Sequence, residues 1–295
     1  MPYKYTRKGK TKEVATFYNQ ASFSFGGAIT NSNTVAGEIV ASLSMTKTAA
    51  SADYGASDGV TYVVSIVNTS EVAYADLTLT DNLGAYTLPG TETELVPLTY
   101  VDGSVLYYQN GVLQPAPTTV AGAPLTISGI TVPANGNVTV VYEARANAFA
   151  PLAAGSTITN VATVDTCALT ATATVAAREE AILSITKSVC PEVIGCSGEV
   201  TYTILIQNTG NTPVVATDDL TVTDNFNPIL RDITVTLDGA DLAEGVGYSY
   251  DEASGTFATL PGAITVPAAT YEYDTVTGAV TTTPGFAVLK ITGSI

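Results

Sequence analysis

The sequence predicts an all-β chain with two similar domains in tandem and a separate pair of strands ahead of them. Hydrophobic residues make up 46% of the 295 residues, and they occur in short runs rich in Val, Ile, Thr and Tyr that turn residues separate. Such runs are typical of strands, and no helical period is sustained. The length is sufficient for two domains, each with a core. Several motifs of the first half also return in the second half, which indicates an internal repeat.

Charge divides the chain into a basic start and an acidic body. The net charge is −16, from 11 Lys and Arg against 27 Asp and Glu. The basic residues of the start are Lys4, Arg7, Lys8, Lys10 and Lys12, and every acidic residue follows them. We expect residues 1–13 to form a flexible leader, which is either simply solvated or attracted to an acidic neighbouring subunit. The body should repel nucleic acid and anionic membranes. Because no apolar run approaches the length of a membrane span, membrane insertion is not expected either.

Residues 14–42 read as two strands without a domain around them. Between 14 and 25 every second residue is apolar or small, with one asparagine among them, and this face carries Ala15, Phe17, Asn19, Ala21, Phe23 and Phe25. Gly26-Gly27 is typical of a hairpin turn, and a second strand is expected from 28 to about 39. An isolated hairpin is marginal in water, so this segment needs a partner.

The repeat defines the two domains. LSMTKTA at 43–49 matches LSITKSV at 183–189, ADLTLTDNLG at 75–84 matches DDLTVTDNFN at 218–227, and ITVPANGN at 130–137 matches ITVPAATY at 264–271. We expect domain 1 at 43–180 and domain 2 at 181–295. Only the first copy continues into TNVATVDTCALTATATVAAREE at 159–180, so domain 2 is expected to lack its final hairpin.

The missing ending has a counterpart at the other end of the chain. YNQASFSFGGAITNSNTVAGEI at 18–39 aligns with 159–180 when one gap is placed at the turn. We therefore expect residues 14–42 to donate their strands to domain 2 of a neighbouring, identical subunit. Such head-to-tail exchange does not close on itself and gives filaments. The alternative is closure onto the same chain's domain 2, against which the short junction after Val40 argues.

Polar residues recur on the inward faces of the predicted strands. Lys47 shares a strand face with Leu43 and Met45. In the same way Asp81 shares a face with Leu77 and Leu79, and Asn160 with Ile158 and Ala162. The second copy repeats the first two of these polar residues as Lys187 and Asp224. It has no inward Asn of its own, and Asn19 of a neighbour would supply one.

A buried Lys, Asp and Asn together can form a covalent bond. Burial lowers the pKa of the lysine and raises that of the aspartate, so that a neutral amine can attack a carboxamide that the protonated carboxyl polarises. The sequence therefore predicts isopeptide bonds Lys47–Asn160 within a subunit, assisted by Asp81, and Lys187–Asn19 between subunits, assisted by Asp224. The alternative is a buried, hydrogen-bonded Lys–Asp pair with an Asn beside it.

The three cysteines leave several possibilities open. Cys190 and Cys196 are close enough in sequence to bridge locally, and Cys167 would then remain for an intermolecular disulfide or as a thiol. Three unpaired thiols are the alternative. With no histidine in the chain the set is a poor zinc site, and no metal or other cofactor is expected. The chain also has no Gly-rich phosphate loop and no G-x-S-x-G motif, so we do not expect an enzyme beyond autocatalytic bond formation.

These motifs carry a family resemblance. LSMTKTA, VTYVVSIVNTS, LTLTDNLG and ITNVATV resemble the "domain of unknown function 11" repeats of bacterial and archaeal surface proteins. The resemblance covers nearly all of 43–295 and implies two tandem immunoglobulin-like β-sandwich domains, here with an N-terminal donor-strand segment. Two such repeats after an N-terminus without a secretion signal resemble clostridial endospore appendage proteins. That resemblance implies synthesis in the cytoplasm and a place on the spore surface or in an extracellular appendage.

A different function remains as the alternative. A surface adhesin or carbohydrate-binding module made of the same repeats would present aromatic residues grouped in loops. VLYYQNG at 105–111 and YSYDEASG at 248–255 place tyrosines in turn-rich stretches that suit such a site.

Overall fold

A computed structural model describes residues 14–40, 42–193, 195 and 198–295. It is all-β, and two sandwiches follow a separate N-terminal hairpin, which confirms the predicted fold class. The leader predicted at 1–13 lies outside the described residues. Among those residues, no helix has the length and apolar character needed to cross a membrane.

The N-terminal hairpin (residues 14–40) consists of β1 (Val14–Asn19), β2 (Ser22–Phe25), β3 (Ala28–Asn31) and β4 (Val35–Val40). Gly26 and Gly27 turn the chain with φ of +61° and +86°, a region that glycine enters without steric cost. Each predicted strand is divided in two, which corrects the expectation of continuous strands. Asn19 pairs with Val35 and Ser22 with Asn31, so two residues face three and the second strand bulges.

The first sandwich (residues 43–177) contains fourteen strands and one short 3-10 turn. They are β5 (Leu43–Ala49), β6 (Asp53–Tyr54), β7 (Gly59–Asn68), β8 (Tyr74–Asp81), β9 (Tyr86–Thr87), β10 (Glu94–Leu95), β11 (Leu98–Tyr100), β12 (Leu106–Gln109), β13 (Val112–Gln114), β14 (Thr118–Val120), β15 (Leu125–Val132), β16 (Asn137–Ala146), β17 (Thr157–Val164), the turn Asp165–Cys167 and β18 (Leu169–Ala177). One sheet has the order β13-β12-β16-β7-β5, and the facing sheet has the order β14-β15-β8-β17-β18-β6.

The core of the first sandwich lies between these sheets because each long strand alternates buried and more exposed residues. On β7 the buried residues are Val60, Tyr62, Val64 and Ile66, and β16 alternates in the same way. At one side of the sandwich β18 lies against β5, so that the hairpin β17–β18 covers this edge of the first sheet.

The second sandwich (residues 183–294) contains ten strands. They are β19 (Leu183–Cys190), β20 (Glu199–Asn208), β21 (Thr223–Asn225), β22 (Arg231–Leu237), β23 (Ala240–Asp241), β24 (Tyr248–Asp251), β25 (Thr256–Thr259), β26 (Thr270–Tyr273), β27 (Val280–Thr283) and β28 (Gly285–Ser294), with a 3-10 turn at Ala216–Asp218. The main sheet has the order β19-β20-β28-β22-β23, and β21-β25-β24 faces it. The core packs around Phe226, Phe257 and Leu289.

The second sandwich is open at the place where β17–β18 close the first. β21 pairs with β25 on one edge, and within the described residues no strand pairs with its other edge. Among the described residues, no strand lies against β19 in the way that β18 lies against β5. As a result Leu183 is 40% exposed and Ile185 is 60% exposed, whereas Leu43 and Met45 pack against the core of the first sandwich.

The two sandwiches are joined by a short, hydrogen-bonded linker. The side-chain amide of Asn211 donates to the carbonyls of Leu152 and Arg178, both at 2.9 Å. Arg178, which follows β18, forms ion pairs with Asp53 at 3.0 Å and Asp58 at 2.9 Å. The contacts of Asn211 therefore tie the second sandwich to residues at the end of the first.

Candidate functional site

Lys47 and Asp81 form an ion pair inside the first sandwich. Lys47 comes from β5 and Asp81 from the end of β8, and the Nζ–Oδ2 distance is 2.5 Å. The two side chains are 0% and 1% exposed. Asp81 also accepts hydrogen bonds from the Tyr142 hydroxyl and, at 3.0 Å, from the backbone N–H of Leu83. A buried carboxylate is thus surrounded by three donors.

Asn160 lies beside this pair with half of its carboxamide unpaired. It is fully buried on β17, two residues before Ala162, which pairs with Asp81 across the sheet. Its Oδ1 accepts from the backbone N–H of Gly84 at 3.2 Å, whereas its Nδ2 has no hydrogen-bond partner. The buried hydroxyl of Tyr62 also has no partner. Unpaired buried polar groups cost about 1–3 kcal/mol each, so this cluster is held at a cost in stability.

Aromatic rings enclose the amine and shift its protonation. The Nζ of Lys47 lies 4.7 Å from the centroid of the Tyr62 ring and 6.0 Å from that of Tyr142. Burial lowers the pKa of Lys47 to about 8, against the opposing effect of the Asp81 charge and hydrogen bond. Burial also raises the pKa of both tyrosines above its usual value, so both stay neutral. Burial therefore raises the share of Lys47 that is a neutral amine, which is the nucleophilic form, relative to an exposed lysine.

Gly84 shapes the acceptor side of this cluster. Its N–H is shared between the Oδ1 of Asn82 at 3.0 Å and the Oδ1 of Asn160 at 3.2 Å, and charge would build on the latter oxygen if an amine attacked Asn160. Gly84 has φ of +75°, and a Cβ there would lie 2.5 Å from the side chain of Ile158. A side chain at this position is therefore excluded both by backbone conformation and by space.

The second sandwich repeats the ion pair in an open setting. Lys187 on β19 contacts Asp224 on β21, but the side chains are 40% and 15% exposed. The Nζ of Lys187 lies 4.4 Å from the Tyr202 ring and 5.3 Å from the Phe226 ring. The structure does not bring Asn19 to this pair, because Asn19 lies on β1 of the N-terminal hairpin. Within the part of the chain that the structure describes, the second site thus contains the amine and the carboxylate and has no counterpart of Asn160.

The N-terminal hairpin forms sheets of its own, apart from both sandwiches. Phe17 is 53% exposed, Phe23 63% and Phe25 82%, and Asn19 and Ala21 are exposed as well. This arrangement differs from the alternative in which the hairpin closes onto its own second sandwich. Ile29 and Val35 on the returning strand are also exposed, at 74% and 55%, and the sequence reasoning did not single them out.

The cysteines and the loop tyrosines occupy different settings. Cys190 is exposed at the end of β19, the side chain of Cys167 lies outside what the structure describes, and Cys196 lies outside the described residues, so the predicted pairings stay predictions. Tyr107 and Tyr248 are each 5% exposed and belong to the cores. Tyr108 and Tyr250 of the same stretches are half-buried, and the adhesin alternative stays a prediction.

The sequence reasoning missed Tyr62, Tyr142 and Gly84. A signal for the first was present, because Tyr62 and Tyr202 occupy the same position of the repeated motif VTY. Tyr142 has no such signal: the repeat aligns it with Ile291, and only the structure shows its hydroxyl on Asp81.

Comparison with known proteins gives distant structural likenesses. No protein-family model matches the chain, so the resemblance to the domain of unknown function 11 stays a prediction. No curated protein matches it. The pilus backbone of Streptococcus pneumoniae is similar at 11% identity and a TM-score of 0.30 over 82% of this chain, which spans 55% of that protein.

Two other solved structures are similar to a comparable degree. A type II cohesin dyad from a scaffoldin of Acetivibrio cellulolyticus has 11% identity and a TM-score of 0.23, over 85% of each chain. A chain of a chaperone–tip adhesin complex of CFA/I fimbriae has 12% identity and a TM-score of 0.24, over 82% of this chain and 94% of that one.

Proposed function

We propose that the protein is a structural subunit of a spore-surface or extracellular fibre, which polymerises head-to-tail by exchange of the N-terminal hairpin. One observation carries the proposal. The hairpin exposes an apolar face that matches β17–β18 in sequence, and the second sandwich is open where a β17–β18 equivalent would lie. A second copy of this chain is therefore the partner that both surfaces fit. The place on the spore rests on the family resemblance alone.

The alignment gives the docked hairpin a defined register. It places Asn19 at the position of Asn160 and Ala21 at that of Ala162, and Ala162 pairs with Asp81. In a neighbour's second sandwich, the equivalent pairing is Ala21 with Asp224 on the open edge of β21. Strand addition there satisfies backbone groups that are otherwise left to water.

The apolar face supplies free energy for this joint. Phe17, Phe23 and Phe25 would each contribute roughly 1.5–3 kcal/mol on full burial, before the cost of ordering the joint. The same docking covers Leu183 and Ile185 of the neighbour, which are 40% and 60% exposed in the single chain.

The entry into each sandwich has the same geometry, which suits a continuous string of domains. Ahead of β5 the backbone N–H of Thr69 donates to the carbonyl of Ser42 at 2.8 Å. Ahead of β19 the N–H of Thr209 donates to the carbonyl of Ile182 at 2.9 Å. A docked hairpin would then lead into the first sandwich as β18 leads into the second.

The proposal includes covalent locking by isopeptide bonds. The Nζ of lysine bonds to the Cγ of asparagine, the Cγ–Nδ2 bond breaks, and the aspartate carries a proton from Nζ to the departing ammonia. Lys47 and Asn160 would react within a subunit, and Lys187 would react with the neighbour's Asn19. The unpaired Nδ2 of Asn160 supports the first bond, because it is the group that leaves.

Negative-stain electron microscopy of the purified chain tests polymerisation. We expect filaments from the native chain and monomers from the double variant Phe17→Asp/Phe23→Asp, because charges on the apolar face prevent docking. Val246→Asp is the matched control, since Val246 is 79% exposed and lies next to β24, at the far edge from β21. Filaments from the double variant would show that the hairpin is not the connector.

Intact-mass spectrometry of denatured monomers tests the internal bond. The native chain should be lighter than its sequence by about 17 Da, the mass of the lost ammonia, and Asn160→Ala should have its full calculated mass. A native chain of full mass would exclude the Lys47–Asn160 bond and leave the fibre proposal standing.

A further inference from the structure

The two lysine–aspartate pairs occupy matched positions and differ mainly in what covers them. In the first sandwich β17–β18 reduce the exposure of Lys47 and Asp81 to 0% and 1%. In the second sandwich nothing among the described residues does so, and Lys187 and Asp224 keep 40% and 15%. Both amines otherwise have equivalent surroundings, an aspartate and two aromatic rings.

We infer that the neighbour's hairpin activates Lys187 by covering it, so that the amine is desolvated, and thereby made nucleophilic toward the delivered carboxamide, only in the docked joint. This inference rests on the proposed function. It assigns the hairpin two tasks, since the strand of Phe17 and Asn19 delivers the carboxamide while the returning strand removes water from the amine. The reaction is the one given above: Nζ of Lys187 replaces Nδ2 of Asn19, and ammonia leaves with a proton that passes through Asp224.

Lys47 shows what covering does to such an amine. Desolvation lowers its pKa to about 8 although Asp81 is in contact with it. Among the described residues, the charged or titratable groups beside Lys187 are Asp224 on β21 and Tyr202 on β20, and β28 has the apolar Ile291 at the position aligned with Tyr142. Because no second cation is present in this set, added desolvation is the change that docking brings.

Val35 is the residue of the hairpin that we assign to this covering. It lies as far before Lys47 in the sequence as Val175 lies before Lys187. Val175 is fully buried on β18, the strand that lies against β5. In the single chain Val35 is 55% exposed, in contrast to the buried Val175.

Competitive lysine acylation tests the covering. Asn19→Ala filaments, in which docking occurs without the bond, are compared with the undocked Phe17→Asp/Phe23→Asp monomer by peptide mass spectrometry. We expect Lys187 to label about tenfold less in the filaments, with the exposed Lys290 unchanged as the internal reference. Equal labelling of Lys187 in both states would overturn the inference while the filaments themselves uphold the proposed function. Absence of filaments from both the native chain and Asn19→Ala would overturn both.

The rate of covalent growth tests Val35. Boiled detergent gels of native filaments should show ladders of linked subunits, and Val35→Ser should slow their appearance several-fold while filaments still form, because the hydroxyl lets water back to the amine. Val112→Ser is the matched control, because Val112 is 63% exposed on β13 of the first sandwich. Equal rates for Val35→Ser and native chain would overturn the assignment. Native filaments that release only monomers would overturn activation of Lys187 and leave polymerisation intact.

Discussion

Removing the aspartate from each lysine site should have very different consequences in the two sandwiches. Asp81→Ala leaves the buried amine of Lys47 without its counter-charge and the Tyr142 hydroxyl without its acceptor. Breaking a buried pair in this way costs about 3–5 kcal/mol. Asp224→Ala removes a partner from a lysine that is 40% exposed, and pairs open to solvent are worth about 0–1 kcal/mol.

Urea denaturation combined with peptide-level hydrogen exchange measures both effects. The Phe17→Asp/Phe23→Asp background keeps the chain monomeric, and exchange of peptides from 43–177 and 183–294 reports each sandwich separately. We expect Asp81→Ala to lower the free energy of unfolding of the first sandwich by about 3–5 kcal/mol. If the Lys47–Asn160 bond is present in the parent, the loss is larger, because the cross-link disappears as well. A loss from Asp224→Ala as large as that from Asp81→Ala would refute the reasoning that burial separates the two sites.

Three further predictions concern the first sandwich. Gly84→Ala should destabilise it by about 1–3 kcal/mol, from the positive φ and the clash with Ile158, as measured by urea denaturation; no change would contradict the geometry. In Asn160→Ala, where Lys47 remains an amine, the unfolded state binds more protons than the folded state between pH 8 and 10, because the folded pKa of Lys47 is lowered to about 8 from 10.5. Stability should therefore rise with pH across that interval in denaturation curves, and a fall would contradict the burial of a free amine. Arg178→Ala should cost at most about 1 kcal/mol, since its ion pairs are half-exposed; a loss of several kcal/mol would assign the linker a larger role.

The sequence was sufficient for the fold because strand alternation and the repeat report on the same sheets. Because Leu43, Met45 and Lys47 share one face of their strand, the sequence predicts an inward lysine. The structure places that lysine in the core. The bounds of the N-terminal strands were harder to predict, since Ser32–Thr34 form a bulge that a period of two residues cannot show. The residues that contact the lysine were harder still to predict from the sequence. Tyr142 lies on the facing sheet and hydrogen-bonds to Asp81, and nothing in the local sequence of either residue indicates this contact.

The two sites differ in the residues that surround each carboxylate. The first site is completed by its own chain, so its carboxylate can be held by a core tyrosine, and Tyr142 fills that place. In the second site the residue aligned with Tyr142 is Ile291, and Phe226, aligned with Leu83, supplies the aromatic ring. The exchange keeps an aromatic contact on Lys187 and removes one hydroxyl from Asp224. Under the proposed hairpin exchange, the second site keeps the lysine–aspartate contact and the aromatic rings on the amine until the neighbour's hairpin covers them.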